Sequence, residues 1–509
     1  MASPHYAFNT VHKPILGGLE LHGKGGSMAV DTPAPSSLYL WYLIIVATVG
    51  PLQFGYHLSE LNAPADVIRC EQKSSPAFAA AQLPQCIPMD GNEFALVQSI
   101  YTLGGLVGAL IAGPIATKYG RLLTMRLATI VFILGPAAEA LASNIPVMSA
   151  GRFLSGIGAG AATVVCPIYI AEISPLEKRG LYGAFTQIMV NVGILATLLL
   201  GYFLSHGNYW RFILAVAGMI GAAEFLGLFF APETPKWLAE HNQTNKARRV
   251  LQRIRGPDAN IDDEIKDWKM DSPQGEEESL LAAPSGESPP QQPSISFLGA
   301  VRHPKYRPAV IAVIAVMAAQ QFTGINSIMM YSVSILGGLL PTSATLLTVA
   351  VSGLNVFTTL ACAPLADKIG RKPCLLLSIA GMGISSILLA LGLEFGVKIL
   401  SAIATLTFVA SFAVGLGPVP FILASELVGP EAVGATQSWS LASNWISTFA
   451  VAQFFPFVDK ALGEHGRAYW VFAGMALLLG SFIWWWVPET NQKASADEVW
   501  GRTEDRRVD

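Results

Sequence analysis

The sequence predicts an all-α membrane protein, with twelve transmembrane helices in two pseudo-symmetric six-helix halves joined by a partly helical cytosolic linker. Three observations predict it. Of the 509 residues, 52% are hydrophobic and only 13% charged, whereas an ordinary soluble domain carries roughly 25% charged residues. Apolar runs of the ~20 residues needed to cross a bilayer recur along the chain, six on each side of one long polar stretch. Short words at the ends of these runs also repeat. Ala116–Arg121 reads A-T-K-Y-G-R and Ala366–Arg371 reads A-D-K-I-G-R; A-E-I-S-P at Ala171 is echoed by S-E-L-V-G-P at Ser425, and P-E-T-P at Pro232 by P-E-T-N at Pro488, at offsets of 250, 254 and 256. Matches in one order at nearly one spacing indicate a duplicated domain whose halves share one site between them.

In chain order, residues 1–38 are polar and glycine-rich, a cytosolic tail without the apolar core and small-residue cleavage site of a signal peptide. The N-terminal half, 39–231, holds spans at 39–60, 94–116, 122–142, 146–170, 181–204 and 211–231. The linker, 232–307, opens with a basic amphipathic pattern (Lys246, Arg248, Arg249, Arg253, Arg255). It then turns acidic and proline-rich, with E-E-E from Glu276 and S-P-P-Q-Q-P from Ser288, and reads there as a solvated, disordered segment. The C-terminal half, 308–487, holds spans at 308–338, 343–365, 373–393, 397–424, 434–457 and 468–487, and 488–509 is a second cytosolic tail.

Lysine and arginine in short loops set the orientation. Lys118, Arg121 and Arg126, then Lys178 and Arg179, then Lys368, Arg371 and Lys372 lie on the linker's side, which places both termini and the linker in the cytosol. Cys70 and Cys86 share a loop on the opposite, more oxidising side, where a disulfide between them is a candidate. The other three cysteines lie in or beside apolar segments. A net charge of -3 gives no support to nucleic-acid binding, and the bilayer is the obligatory partner. The sequence leaves the oligomeric state open.

Polar side chains inside spans face a bundle interior or a watery cavity. Gln187 and Asn191 lie four apart on one helix face; Gln320, Gln321 and Asn326 cluster in the seventh span, and Asn355 and Asn444 occupy the eighth and eleventh. Amides both donate and accept, which suits a neutral, hydroxyl-rich ligand, although amides also glue helices together. Phe421 follows Gly415, Gly417, Pro418 and Pro420, which interrupt the tenth span in mid-membrane, and broken helices there line cavities. Charges within spans are His57, Glu139, Arg152 and Glu224. Glu172, Asp367 and Glu426 sit at cytosolic helix ends, where pairing with Arg179, Arg371 or Lys372 would hold the two halves together in one conformation. The glycines of G-I-G-A-G-A (Gly156–Ala161) follow no strand and read as close helix packing rather than a phosphate loop.

These residues resemble the sugar porter family of the major facilitator superfamily. The resemblance covers nearly all of 39–490 and rests on G-R-F-L-S-G-I-G-A-G from Gly151, P-I-Y-I-A-E-I-S-P-L-E-K-R-G ending at Gly180, Q-Q-F-T-G-I-N from Gln320, D-K-I-G-R-K from Asp367, G-P-V-P-F from Gly417 and P-E-T-P-K from Pro232. The first span, L-Q-F-G-Y-H-L-S-E-L-N-A-P from Leu52, resembles the animal glucose facilitators, and the whole is similar to the fungal vacuolar-sorting sugar porters. The resemblance implies a sugar held by Gln187, Gln320, Gln321, Asn326, Asn355 and Asn444, with Tyr331, Phe412, Phe421 and Trp445 nearby. It also implies a cytosolic gate of Arg121, Glu172, Arg179, Glu233, Asp367, Arg371, Glu426 and Glu489. Phe421 stands where the family has Trp, Thr117 where it often has Asp or Asn, and Lys236 replaces an Arg. Val433 stands where the family has Arg, which would leave Glu426 short of its usual partner.

Proton-driven members carry Asp in the first span and Glu in the sixth; the matching positions here are His57 and Ala217. The expectation is therefore a facilitative uniporter of a hexose or similar polyol. The alternative is a proton symporter using a relay of His57, Arg152 and Glu224, since an imidazole titrates near physiological pH. A non-transporting sugar sensor is the third reading, disfavoured by a C-terminal tail of little more than 20 residues. No nucleophile with a base, no metal-ligand spacing and no phosphate loop points to an enzyme, a metal or a cofactor. The membrane is either the plasma membrane or a vacuolar or endomembrane compartment.

Overall fold

The computed structural model describes residues 37–71, 83–175, 178–257, 259–262, 264–265, 295–337, 344–362, 364–463, 465–491, 493 and 495–502. The N-terminal tail, the acidic and proline-rich part of the linker and the end of the C-terminal tail lie outside these residues. Among the described residues every regular element is helical.

Eleven helices are long and apolar enough to cross a membrane. In the first half these are Leu38–Ser59, Gly91–Tyr119, Arg121–Ala140, Ile145–Ile173, Arg179–Leu204 and Trp210–Phe229. In the second they are Arg307–Gly337, Ala344–Cys362, Arg371–Glu394, Lys398–Glu426 and Ala468–Trp486. The remaining expected span, the eleventh, is also a long helix, Val433–Ala461. It is less apolar than the other eleven because Gln437, Ser440, Ser443, Asn444, Ser447, Thr448 and Gln453 interrupt it. A helix this polar is stable in a bilayer only when flanked by protein or cavity on its polar faces.

Two spans are broken. The tenth runs as Lys398–Val414 and Val419–Glu426, interrupted at Gly415–Pro418 as the sequence suggests. The seventh, expected to be continuous, runs as Arg307–Phe322 and Ile325–Gly337. Between them Gly324 has φ +99°, and a Cβ there would lie 2.6 Å from the Phe472 ring, so a side chain is excluded by both strain and space.

The helices pair in the same way in each half, third on fourth and sixth, ninth on tenth and twelfth. The halves meet where the second span packs on the eleventh and the fifth on the eighth. Close approach within the first half is made by glycine. A Cβ on Gly156 would lie 2.0 Å from the carbonyl oxygen of Tyr101, and one on Gly160 would lie 1.9 Å from that of Gly105. The G-I-G-A-G-A stretch is thus the surface on which the fourth span seats the second. Helix entries are capped by side chains: Ser37 on Leu40, Asn144 on Val147, and a reciprocal Asp90–Glu93 capping box.

At the linker end, Thr244–Arg255 forms the basic helix, whose Ile254 carbonyl accepts from Ser37 Oγ. At the other end Cys70 and Cys86 are joined in a disulfide. The two ends are called here the linker end and the disulfide end.

If Gly160 holds these helices together, Gly160→Ala should destabilise the purified protein by about 1–3 kcal/mol, the usual cost of overpacking. Gly113→Ala, where an added Cβ meets nothing within 4 Å, should leave the thermal melting point in detergent unchanged; equal melting of the two variants would contradict the packing assignment.

Candidate functional site

A cavity of about 610 Å³, counting its open mouth, lies between the two halves. Gln187 and Asn191 of the fifth span face Gln320, Gln321 and Asn326 of the seventh, with Asn355, Asn444, Phe412, Phe421 and Trp445 completing the wall. The sequence offers this wall from five separate spans, and folding brings it to one place. Phe54, Leu58, Val190, Ile194, Ile325, Met329 and Thr448 also line it and escape the sequence reading. All but Thr448 are apolar residues in apolar spans, which carry no distinguishing signal.

The amides are mutually bonded. Gln320 donates from Nε2 to the carbonyls of Leu416 and Gly417, the broken turn of the tenth span. Its own oxygen accepts from Gln321 at 3.0 Å and from Asn444 at 2.5 Å, and Asn326 donates in turn to Gln321. A second group crosses between the halves: Asn191 donates to Thr359 Oγ1 at 2.8 Å and accepts from Asn355 at 3.2 Å. The break in the tenth span therefore has two uses, since it frees carbonyls for Gln320 and turns Phe421, 43% exposed, toward the open mouth.

Tyr331 departs from expectation. It is absent from the cavity wall, its ring packs on Phe455, and its hydroxyl donates to the Ala452 carbonyl at 2.7 Å. It ties the seventh span to the eleventh behind the wall.

The linker-end charges are also arranged differently from the expectation. Arg121 pairs with Glu172 at 2.8 Å, and Arg371 pairs with Glu426 at 3.0 Å and Asp367 at 2.9 Å. Each pair lies inside one half, and among the described residues no ion pair crosses between 39–231 and 308–487. Arg179 bonds the Ala171 carbonyl rather than an acid. Glu426 does not lack partners for want of an arginine at Val433, because Arg371 and Thr490 both donate to it.

Glu233 and Glu489 have a role of their own. Glu233 accepts the backbone N–H groups of Arg121 and Leu122, and Glu489 those of Arg371 and Lys372, so each carboxylate caps the N-terminus of a span. Burial pushes the Glu233 carboxyl above its ordinary range, and those backbone donors pull it partly back.

At the disulfide end the halves are joined directly. Ser59 Oγ and Asn62 Nδ2 donate to the Met329 carbonyl at 2.8 and 2.9 Å, Asn62 also reaches Ser332, and Gln98 donates to the Met330 carbonyl at 3.1 Å. The cavity is shut at this end.

Behind that seal lies a buried charged cluster. His57 Nδ1 is 2.9 Å from Glu60, and Arg152 donates to both the His57 carbonyl and the Glu60 carboxylate. Glu139 lies beside them, its carboxylate accepting from Ser155 at 2.6 Å. The expected relay of His57, Arg152 and Glu224 is thus corrected in one member. Glu224 lies apart, 3.3 Å from where a Cβ on Gly50 would stand, in a site shared with Cys166. Glu60 and Glu139 take its place. The signal for Glu60 was its spacing of three from His57 on one helix; that for Glu139 was its being a charge in a span.

Comparison with known proteins agrees with this architecture. The profile of the sugar (and other) transporter family matches residues 43–498. The chain is 33% identical over 467 residues to the probable metabolite transport protein YBR241C of Saccharomyces cerevisiae, covering 90% of this chain and 94% of that one. It is 30% identical to plastidic glucose transporter 4 of Arabidopsis thaliana, covering 89% of this chain and 78% of that one. Its fold matches the xylose transporter XylE from E. coli in a partially occluded inward open conformation, with TM-score 0.72, 24% identity, and coverage of 90% of this chain and all of that one.

Gln320→Glu would set a carboxylate against the Leu416 and Gly417 carbonyls where an amide N–H now donates, and should cost about 1–3 kcal/mol of stability. A thermal shift no larger than that of Gln187→Glu, whose amide lies 3.5 Å from its partner, would refute the assigned role of Gln320.

Proposed function

Because the chain belongs to the sugar (and other) transporter family, we propose that this multi-pass membrane protein carries a hexose or similar polyol across its membrane by alternating access. The observation that carries the reading is the chain of amides Asn326, Gln321, Gln320 and Asn444 on the wall of a cavity between two halves. It bears no charge and presents donors and acceptors together, matching a neutral polyhydroxylated ligand. The resemblance of the relatives supports the same class, since one of them is named a glucose transporter. Nothing in this wall supplies a nucleophile with a base, and the protein acts as a carrier rather than an enzyme.

The linker end is assigned to the cytosol from the lysines and arginines gathered there. The disulfide end then faces the exterior or a vacuolar or endomembrane lumen. In this conformation the halves are hydrogen-bonded at the disulfide end and unpaired by charge at the linker end, so the cavity is open to the cytosol. The intra-half pairs Arg121–Glu172 and Arg371–Glu426 form the rigid ends that swing together when the cavity closes to that side. Facilitative uniport was expected because the Asp and Glu of proton-driven members are missing. The cluster of His57, Glu60, Glu139 and Arg152 places other titratable groups at the first span, so that absence alone no longer decides between uniport and proton symport.

Purified protein in liposomes should take up labelled glucose with saturation. Gln320→Ala, which removes one amide of the wall together with its bonds to Asn444 and Gln321, should reduce that uptake about tenfold or more, the equivalent of one to two hydrogen bonds. Tyr331→Phe should leave apparent affinity for sugar unchanged, since its hydroxyl is engaged behind the wall. Undiminished uptake by Gln320→Ala would overturn the site, and failure to move glucose or any of a panel of hexoses and polyols would overturn the function.

A further inference from the structure

We propose that Gly105 of the second span sets the width of the cavity by seating the indole of Trp445, and is thereby a positioning residue for selection between a sugar and its smaller analogue. The inference rests on the sugar-carrying reading and deepens it at one wall of the same cavity.

Three glycines of the second span stand close together and serve different neighbours. A Cβ on Gly104 would lie 2.1 Å from the carbonyl oxygen of Phe153, and one on Gly108 would lie 2.1 Å from that of Ile157. Both therefore seat the backbone of the fourth span, inside the first half. The missing side chain of Gly105 points elsewhere. A Cβ there would lie 2.3 Å from Cζ3 and 2.5 Å from both Cε3 and Cη2 of Trp445, which belongs to the eleventh span and hence to the other half. Close approach of two helix backbones accounts for Gly104 and Gly108. It does not account for the open space at Gly105, which is filled by the tip of a side chain.

That tip is held in place. Phe54 meets the indole edge-on with 5.5 Å between ring centres, and Tyr101 does so at 6.2 Å. Tyr101 precedes Gly105 by one helical turn, and its hydroxyl donates to the Phe54 carbonyl at 3.1 Å, which joins the first and second spans into one seat. Trp445 is 2% exposed. It lines the cavity together with Phe54, whereas Tyr101 and Gly105 do not, so the indole stands between the second span and the cavity. Room behind the ring is therefore room in front of it.

The depth of this contact keeps it in use through the cycle. Gly105 lies near the middle of Gly91–Tyr119 and Trp445 near the middle of Val433–Ala461. Rocking of two halves about a central site parts their ends most and their middles least, so the ring stays on its seat while the ends alternate. A methyl group at position 105 drives it off. Carbon atoms in contact stand about 3.5–4.0 Å apart, which requires the indole to move by about 1–1.5 Å, and the cavity is its open side. A change of one methylene in a fitted pocket is worth about 10–200-fold in discrimination.

The test is uptake of glucose and of xylose, which is glucose without its hydroxymethyl group, by the full-length protein in liposomes. The quantity read is the ratio of kcat/KM for xylose to that for glucose, in which changes in the amount of active protein cancel. Gly105→Ala should raise this ratio about tenfold or more, chiefly through the KM for glucose. Trp445→Leu removes Cζ3, Cε3 and Cη2, and in that background the added methyl group should leave the ratio unchanged. Gly104→Ala, which meets backbone instead of the ring, should lower the thermal melting point without moving the ratio. A ratio unmoved by Gly105→Ala, or moved equally with and without the indole, overturns the proposal. If Gly105→Ala is not monodisperse, the double variant with Trp445→Leu should recover the melting point of Trp445→Leu alone, and a double variant that fails as Gly105→Ala does overturns the proposal. Parent protein that moves neither sugar overturns the sugar-carrying reading on which this rests; parent uptake with an unresponsive ratio overturns this inference alone.

Discussion

Each half depends on one knot at the linker end, in which a carboxylate binds both the start of a helix and, through its neighbours, an arginine. Glu233 caps the third span at Arg121 and Leu122, and Glu489 caps the ninth at Arg371 and Lys372. The residue before each arginine is a glycine at positive φ, Gly120 at +105° and Gly370 at +109°, which lets the chain reverse tightly enough for the carboxylate to reach the new N–H groups. The arginine side chain then turns to the end of the fourth or tenth span, to Glu172 or Glu426. Three helices of a half are fastened at a single point by contacts that do not involve the other half.

The surface between the two halves differs at its two ends. At the disulfide end the contacts are hydrogen bonds from Ser59, Asn62 and Gln98 to carbonyls of the interrupted seventh span. Each has a net value of only ~1 kcal/mol, because water offers the same partners when the contact opens. A seal of this kind closes the cavity without trapping it shut. The break at Thr323–Gly324 separates the piece of the seventh span that meets this seal, Ile325–Gly337, from the piece that carries Gln320 and Gln321.

Sequence reading recovered the parts whose signal is local. Apolar runs located the spans, repeated words located the duplication, and G-L-G-P located the break in the tenth span because glycine and proline act on their own backbone. Parts that depend on which helix a face meets were not legible. Glu224 and His57 both read as intramembrane charges, yet helical periodicity says only that each points inward, not toward which neighbour, and Glu224 meets Cys166 while His57 meets Glu60. Tyr331 carries the resemblance but points behind the wall for the same reason. The linker-end acids and arginines were named together, but spacing along the chain could not say that Arg121–Glu172 and Arg371–Glu426 pair within halves rather than across them. The seventh span hid its break because Gly324 is a single glycine with no proline beside it, and its positive φ and contact with Phe472 show only in the structure that a side chain is excluded.

The amide wall also constrains how selection can work. Gln320, Gln321, Asn326 and Asn444 are bonded to one another through part of their donors and acceptors, so a ligand that displaces any of these bonds must replace it. A vicinal polyol does this at little net cost, because each hydroxyl donates and accepts as an amide does. A carboxylate or an ammonium group would leave either amide donors or amide oxygens facing a like partner in a site with no counter-charge, at the price of an unsatisfied buried group. Discrimination among neutral sugars must then come from shape, through Phe412, Phe421 and Trp445. Phe421 is the residue most exposed to the mouth, and a phenyl ring there contributes area without an N–H donor. On the proposed function, the hydrogen-bonding wall would define the class of ligand, and the aromatic side of the cavity would be where one member of that class is told from another.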